Sequence, residues 1–181
     1  WSWSEGFDFV FGSESLNDLG LPSGDGDFRF QFEKQTGSFR AGGVSGDHWD
    51  VRGLASVAFG YNNRAEKEGS VVSGGRECVA DGEFSSVGGG FYNRALKDGS
   101  TISGGANNIS EDKFGTIAGG IQNELNSYAG VISGGENNEI KGLGSIISGG
   151  FNNIVSSADP AGKSDISVVS GGATNRILDS D

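Results

Sequence analysis

Thr101-Ile102-Ser103-Gly104-Gly105-Ala106-Asn107-Asn108-Ile109-Ser110 is a phrase that this chain repeats with small changes along most of its length. Ile117-Ala118-Gly119-Gly120, Ile132-Ser133-Gly134-Gly135 and Ile147-Ser148-Gly149-Gly150 are further copies of its first half. With the last glycine of each pair as marker, Gly75, Gly90, Gly105, Gly120, Gly135 and Gly150 follow one another at intervals of 15 residues. Gly60 extends the series backward by another 15, and Gly172 extends it forward by 22, so the last copy carries a seven-residue insertion. A fixed short period is the mark of a repeat architecture and takes precedence over any local reading.

The copies agree position by position. Three residues before the marker stand Val57, Val72, Val87, Ile102, Ile117, Ile132, Ile147 and Val169, all β-branched and suited to a pleated strand. The next residue is always small: Ala58, Ser73, Gly88, Ser103, Ala118, Ser133, Ser148 and Ser170. Three residues after the marker come Asn63, Asn93, Asn108, Asn123, Asn138, Asn153 and Asn175, with Cys78 as the exception. Five after it come Ala65, Ala80, Ala95, Ser110, Leu125, Ile140, Val155 and Ile177.

Fifteen residues are too few for a βαβ unit or a helical hairpin. They suffice for one turn of a parallel β-solenoid: a short strand, a glycine corner, a second short strand and a return turn. The reading is therefore all-β, a solenoid or β-roll of eight coils over 53–181, preceded by a different region over 1–52. Stacked at one strand spacing, about 4.8 Å, equivalent Asn amides can hydrogen-bond into a ladder. Asn also tolerates the left-handed backbone region, which assigns the ladder residues a turn role as well.

Composition agrees. Glycine supplies 34 of 181 residues and apolar residues only 34%, too little for a conventional core. Collagen is excluded, since the glycines have no period of three and there are 2 prolines. No apolar run is long enough to span a bilayer, so direct membrane insertion is not expected. Thirteen basic against 24 acidic side chains give a net charge of −11, which opposes any nucleic-acid partner. One Cys and one His make neither a disulfide framework nor a zinc site, and no cofactor is expected. The missing initiator Met and the end partway through a repeat suggest a fragment or a processed chain.

Residues 1–52 read as a small β cap over the first coil, as the terminal units of solenoids need. Phe7, Phe9 and Phe11 alternate, as do Phe28, Phe30 and Phe32, giving two half-buried strands with an aromatic face. Gln35-Thr36-Gly37 reads as a turn and Ser38–Ala41 as the hairpin partner, with Trp1, Trp3 and Trp49 covering the aromatic layer.

Asp25-Gly26-Asp27 with Asn17 and Asp18 falls short of a calcium loop and reads as a solvated turn. His48 has no nucleophile beside it. Glu66/Glu68 and Glu111/Asp112 are carboxylate pairs on variable return turns, so a charged surface is preferred to glycosidase chemistry. Cys78 reads as a small replacement in the Asn column. Asn108-Ile109-Ser110 matches a glycosylation sequon, but Asn108 is also a ladder residue and receives no such role. Ice binding would need a regular Thr array, and only Thr101 and Thr116 align.

The unit Ser56-Val57-Ala58-Phe59-Gly60, followed by Asn-Asn-x-Ala, resembles the head repeat of trimeric autotransporter adhesins. Later copies such as Thr101–Asn108 are similar to the variant found in phage tail fibres, and Lys34–Gly43 with Trp49-Asp50 resembles the lead-in to such repeats in fibres ending in an endosialidase-type chaperone. The resemblance implies a trimer of parallel β-rolls that contacts a surface. One departure is that glycine replaces the second aliphatic of the adhesin motif in every copy except at Phe59.

The residues point to an oligomer independently, because each coil offers only about two aliphatic side chains against the ordering of fifteen residues. The expectation is a non-enzymatic homotrimeric fibre or adhesin segment, extracellular, on a cell or a virion, with a host-surface glycan or protein as receptor. Alternatives are a purely structural fibre component and a polysaccharide-cleaving tailspike. The insertion around Ala158, Asp159, Pro160 and Lys163 is the candidate contact loop, because proline cannot continue a ladder and loops carry binding residues.

Overall fold

The computed structural model describes residues 9–12, 27–45, 51–156 and 166–178, and in these the protein is all-β without a helix. It is a parallel β-solenoid of about eight turns. Two sheets run along it, one of 11 strands and one of 8, and each coil gives one strand to each. In coil 4 these are Thr101–Ile102 and Ile109–Ser110, and they pair in register with Thr116–Ile117 and Glu124–Asn126 of the next coil. A third column of single bridges joins the residues just after the marker glycines, from Tyr61 through Arg76, Phe91, Ala106, Ile121, Glu136 and Phe151 to Ala173.

Strands of two or three residues place one side chain inward and the next outward. Val72, Val87, Ile102, Ile117, Ile132 and Ile147 point in from the long sheet and are fully buried. Ala80, Ala95, Leu125 and Ile140 meet them from the short sheet. Opposite the long-sheet aliphatics, Ser73, Ser103, Ala118, Ser133, Ser148 and Ser170 are exposed, as the alternation requires. Leu125 is larger than the alanines above it, and the chain makes room with glycine. A Cβ on Gly115 would lie 2.9 Å from one Leu125 methyl, and a Cβ on Gly130 2.8 Å from the other. Coils 2 to 4 hold Ser70, Ser85 and Ser100 at this place.

The corner glycines are required by contact between coils. Gly105 has φ of +90°, and a Cβ there would stand 2.1 Å from the carbonyl oxygen of Gly120 in the next coil.

Coil 1 departs from the alignment by marker glycine. Val57 pairs with Val71 and Ala58 with Val72, so Ala58 is the buried residue and Val57 lies on the outer face. The cause is the strand β4, Val57–Tyr61, which runs on for five residues along its neighbour and skips one residue of the corner. That neighbour is β3, Ser38–Val44, which pairs with β4 in parallel and with β2, Asp27–Glu33, in antiparallel fashion. β1, Phe9–Gly12, adds antiparallel to β2. Phe28, Phe30 and Phe32 lie on one face of β2 and are 51%, 39% and 42% exposed. Phe39 is edge-on to Phe30 at 4.8 Å and to Phe59 at 5.1 Å. Phe7, Trp1, Trp3 and Trp49 lie outside the described residues.

Arg40 ends the inward row. It aligns with Ala58 and is 1% exposed, with Nη2 donating to Ser56 Oγ at 2.9 Å and to the Ala65 carbonyl at 2.7 Å. Burial, and then the nearby Arg52, push its pKa down to about 10 against the opposing pull of Glu33. Glu33 is held beside it by Arg52 at 3.1 Å. The guanidinium adds a second donor to the Ala65 carbonyl, which also accepts from the Gly53 N–H at 3.3 Å.

Candidate functional site

Two adjacent columns at the second corner hold most of the polar chemistry. The inner one contains the expected ladder residues. Asn93, Asn108, Asn123, Asn138 and Asn153 are fully buried, Asn63 is 1% exposed, and Asn175 is exposed in the last coil. Each step from Asn93 onward repeats the same geometry. Asn108 Oδ1 accepts from the Asn123 backbone N–H at 3.0 Å and from its Nδ2 at 3.1 Å. Asn123 Nδ2 also donates to the Gly119 carbonyl at 3.1 Å and to the Gly135 carbonyl at 3.0 Å. The chain of amide contacts runs unbroken from Asn93 to Asn175. Low dielectric and mutual polarisation strengthen such a chain.

Cys78 occupies the same column and is buried. Its backbone N–H still reaches Asn63 Oδ1 at 2.8 Å, but its sulfur stands where the other coils have an amide. Burial raises the thiol pKa, opposed more weakly by the Asn93 and Arg76 backbones. The thiol therefore stays protonated near neutral pH and is a poor nucleophile. Asn108 is fully buried, so the sequon side chain is out of reach in the folded chain.

The left-handed turn role belongs to the neighbouring column, which corrects the reading of the ladder residues. Asn62, Glu77, Tyr92, Asn107, Gln122, Asn137, Asn152 and Thr174 all have φ between +53° and +58°, whereas none of the ladder residues has positive φ. This column carries no uniform residue, so no periodic signal marks it. Its members from Tyr92 to Asn137 are exposed, and Asn137 Nδ2 donates to Asn152 Oδ1 at 3.2 Å.

The carboxylate pairs do not form a cleft. Glu66 is tied to Arg64 on its own coil, and Glu68 and Glu111 are exposed. Asp112 accepts from the Lys113 backbone N–H. Thr101 and Thr116 are direct partners in the long sheet, flanked by Ser86 and Val131. Asn17, Asp18, Asp25, His48 and the candidate contact loop at Ala158, Asp159, Pro160 and Lys163 lie outside the described residues.

A separate cluster, which the sequence reading missed, occupies coils 1 to 3. The Arg76 guanidinium lies over the Tyr61 ring at 5.3 Å and the Phe91 ring at 5.9 Å. Phe91 is edge-on to Tyr92 at 4.2 Å. Residues 15 apart in sequence are one coil apart in space, and that is the signal that would have found it. No protein-family model matches the chain, and no curated protein matches it either.

Proposed function

We propose that the chain is a non-enzymatic structural and adhesive segment of a homotrimeric fibre, displayed outside a cell or on a virion, in which the hairpin β2–β3 acts as a cap on the first coil. The observation that carries the reading is the outer face of the long sheet. Val71, Thr101, Thr116, Val131 and Ile146 stand half-buried in one row, and the exposed row of Ser73, Gly88, Ser103, Ala118, Ser133 and Ser148 runs beside it. This strip is built of small and β-branched side chains and carries no charge over these coils. A neighbouring copy can approach such a strip closely, and three copies close a ring. The resemblance to adhesin heads and tail fibres supports the same reading.

Light scattering coupled to size exclusion tests it. A trimer of three 18.6 kDa chains is expected, and a clean monomer contradicts it. Binding to a glycan array separates an adhesive from a purely structural segment, and release of reducing sugars from a bound polysaccharide would point to the tailspike alternative.

A further inference from the structure

The surface of the solenoid changes character along its axis. At the position just after the marker glycine, coils 1 to 3 carry Tyr61, Arg76 and Phe91, where coils 4 to 6 carry Ala106, Ile121 and Glu136. On the outer side of the short sheet, the first three coils present Arg64, Val79 and Arg94, and the next three Ile109, Glu124 and Glu139. Three arginines and three aromatic rings, counting Tyr92, thus gather within three turns of an otherwise acidic rod. Arg64 pairs with Glu66, but among the described residues neither Arg76 nor Arg94 forms an ion pair. Phe91 and Tyr92 remain 41% and 44% exposed. Glu77 opposes this charge and is engaged by Asn62 Nδ2 at 3.0 Å.

We infer that the Tyr61–Arg76–Phe91–Tyr92 cluster is a binding site for a carboxylate-bearing saccharide, an inference that rests on the surface-attachment reading above. The exposed rings give the apolar C–H face of a sugar ring a place to pack. Arg76, with its Cζ 5.3 Å and 5.9 Å from the Tyr61 and Phe91 ring centroids, offers a planar fork of donors that matches a carboxylate in bidentate fashion. Arg94, one coil further along on the outer side of the short sheet, adds positive charge to the same three turns. A peptide is the weaker fit. The backbone at this corner is consumed by the Tyr61–Arg76–Phe91–Ala106 bridges, so no strand edge is open for an extended chain to add to.

The test uses the whole chain on an array of uronate- and sialate-bearing oligosaccharides printed beside their methyl-esterified forms, with soluble polyglutamate as competitor. The expected result is retention of at least one acidic glycan, at least tenfold weaker for its ester and at least tenfold weaker for Arg76→Gln. Ile121→Gln, three coils from Arg76 in the same column, should bind as the wild type does. Light scattering on every variant checks that the assembly is unchanged. Failure of every acidic glycan to bind above its ester overturns the inference, as does Arg76→Gln binding undiminished. Displacement by polyglutamate at equal carboxylate concentration overturns it in favour of an acidic peptide. Glycan binding that ignores Arg76 leaves the attachment reading standing and removes only this site, whereas a monomeric wild type strikes at the fibre reading instead.

Discussion

Asn107 and Asn108 are chemically identical neighbours with different work, and the same holds for Asn137 and Asn138 and for Asn152 and Asn153. Asn108 is fully buried, and its amide joins coils 3, 4 and 5. Asn107 is exposed, and its contribution is a backbone at φ of +56°. The inner column is chosen for a side chain that carries an acceptor oxygen and a two-hydrogen donor nitrogen on separate atoms, which no other residue of that size supplies. The outer column is chosen for a backbone state that Asn enters at low cost and that Glu77, Tyr92, Gln122 and Thr174 enter at a higher one. That difference explains why the inner column is nearly invariant along the chain and the outer one is not.

Replacing one member of each column is the strongest way to separate them. Asn123→Ala removes the donor to two part-buried glycine carbonyls and to the buried Asn108 Oδ1, and the acceptor for the buried Asn138 backbone and side chain. Unpaired buried groups cost about 1–3 kcal/mol each, so a loss of about 3 kcal/mol or more is expected in chemical denaturation. Asn107→Gly keeps the left-handed backbone and should change stability by less than about 1 kcal/mol. Similar losses for the two variants would erase the distinction between the columns.

Two further substitutions sharpen it with smaller effects of the opposite sign. Ser110 is buried on the short-sheet side, and its hydroxyl has no hydrogen-bond partner. Ser110→Ala matches Ala95 in the coil above and should raise stability by about 1 kcal/mol. Cys78→Asn places an amide between Asn63 and Asn93 and extends the inner column over the first coils. It should leave the melting temperature unchanged or raise it. A marked drop would give the thiol a role of its own.

How much of this was readable beforehand follows from the same contrast. Gly105 and Asn108 were legible because the contact between coils leaves one residue type at each place, and a strict period exposes such places. Val57 was misplaced because Gly60 keeps its 15-residue interval while the chain before it is one residue out of step, a shift visible only in the pairing with β3. The left-handed column was hidden by its variety. Arg40 was hidden because a lone charged residue in a Phe-Arg-Ala stretch reads as exposed, and only the end of a stack gives it carbonyls to meet. Leu125 with Gly115 and Gly130 is a compensation in volume, legible only once residues 10 and 5 apart are known to touch. Tyr61, Arg76 and Phe91 fell outside the consensus and drew no notice as single residues.

The central claim is that fifteen residues make one coil and that coils are interchangeable units. Thermal unfolding of two deletions measures it directly. Removing Phe91–Gly105 joins Gly90 to Ala106 and keeps every inward, glycine and Asn position in phase. In a one-dimensional stack this should cost about one coil and one interface, leaving a cooperative melt and the same assembly. Removing only Phe91–Asp98 deletes Asn93 and the short-sheet strand Arg94–Ala95 and leaves the strand Thr101–Ile102 without a return turn. That variant should melt far lower or aggregate. Equal melting of the two deletions would contradict the coil as the unit of this fold.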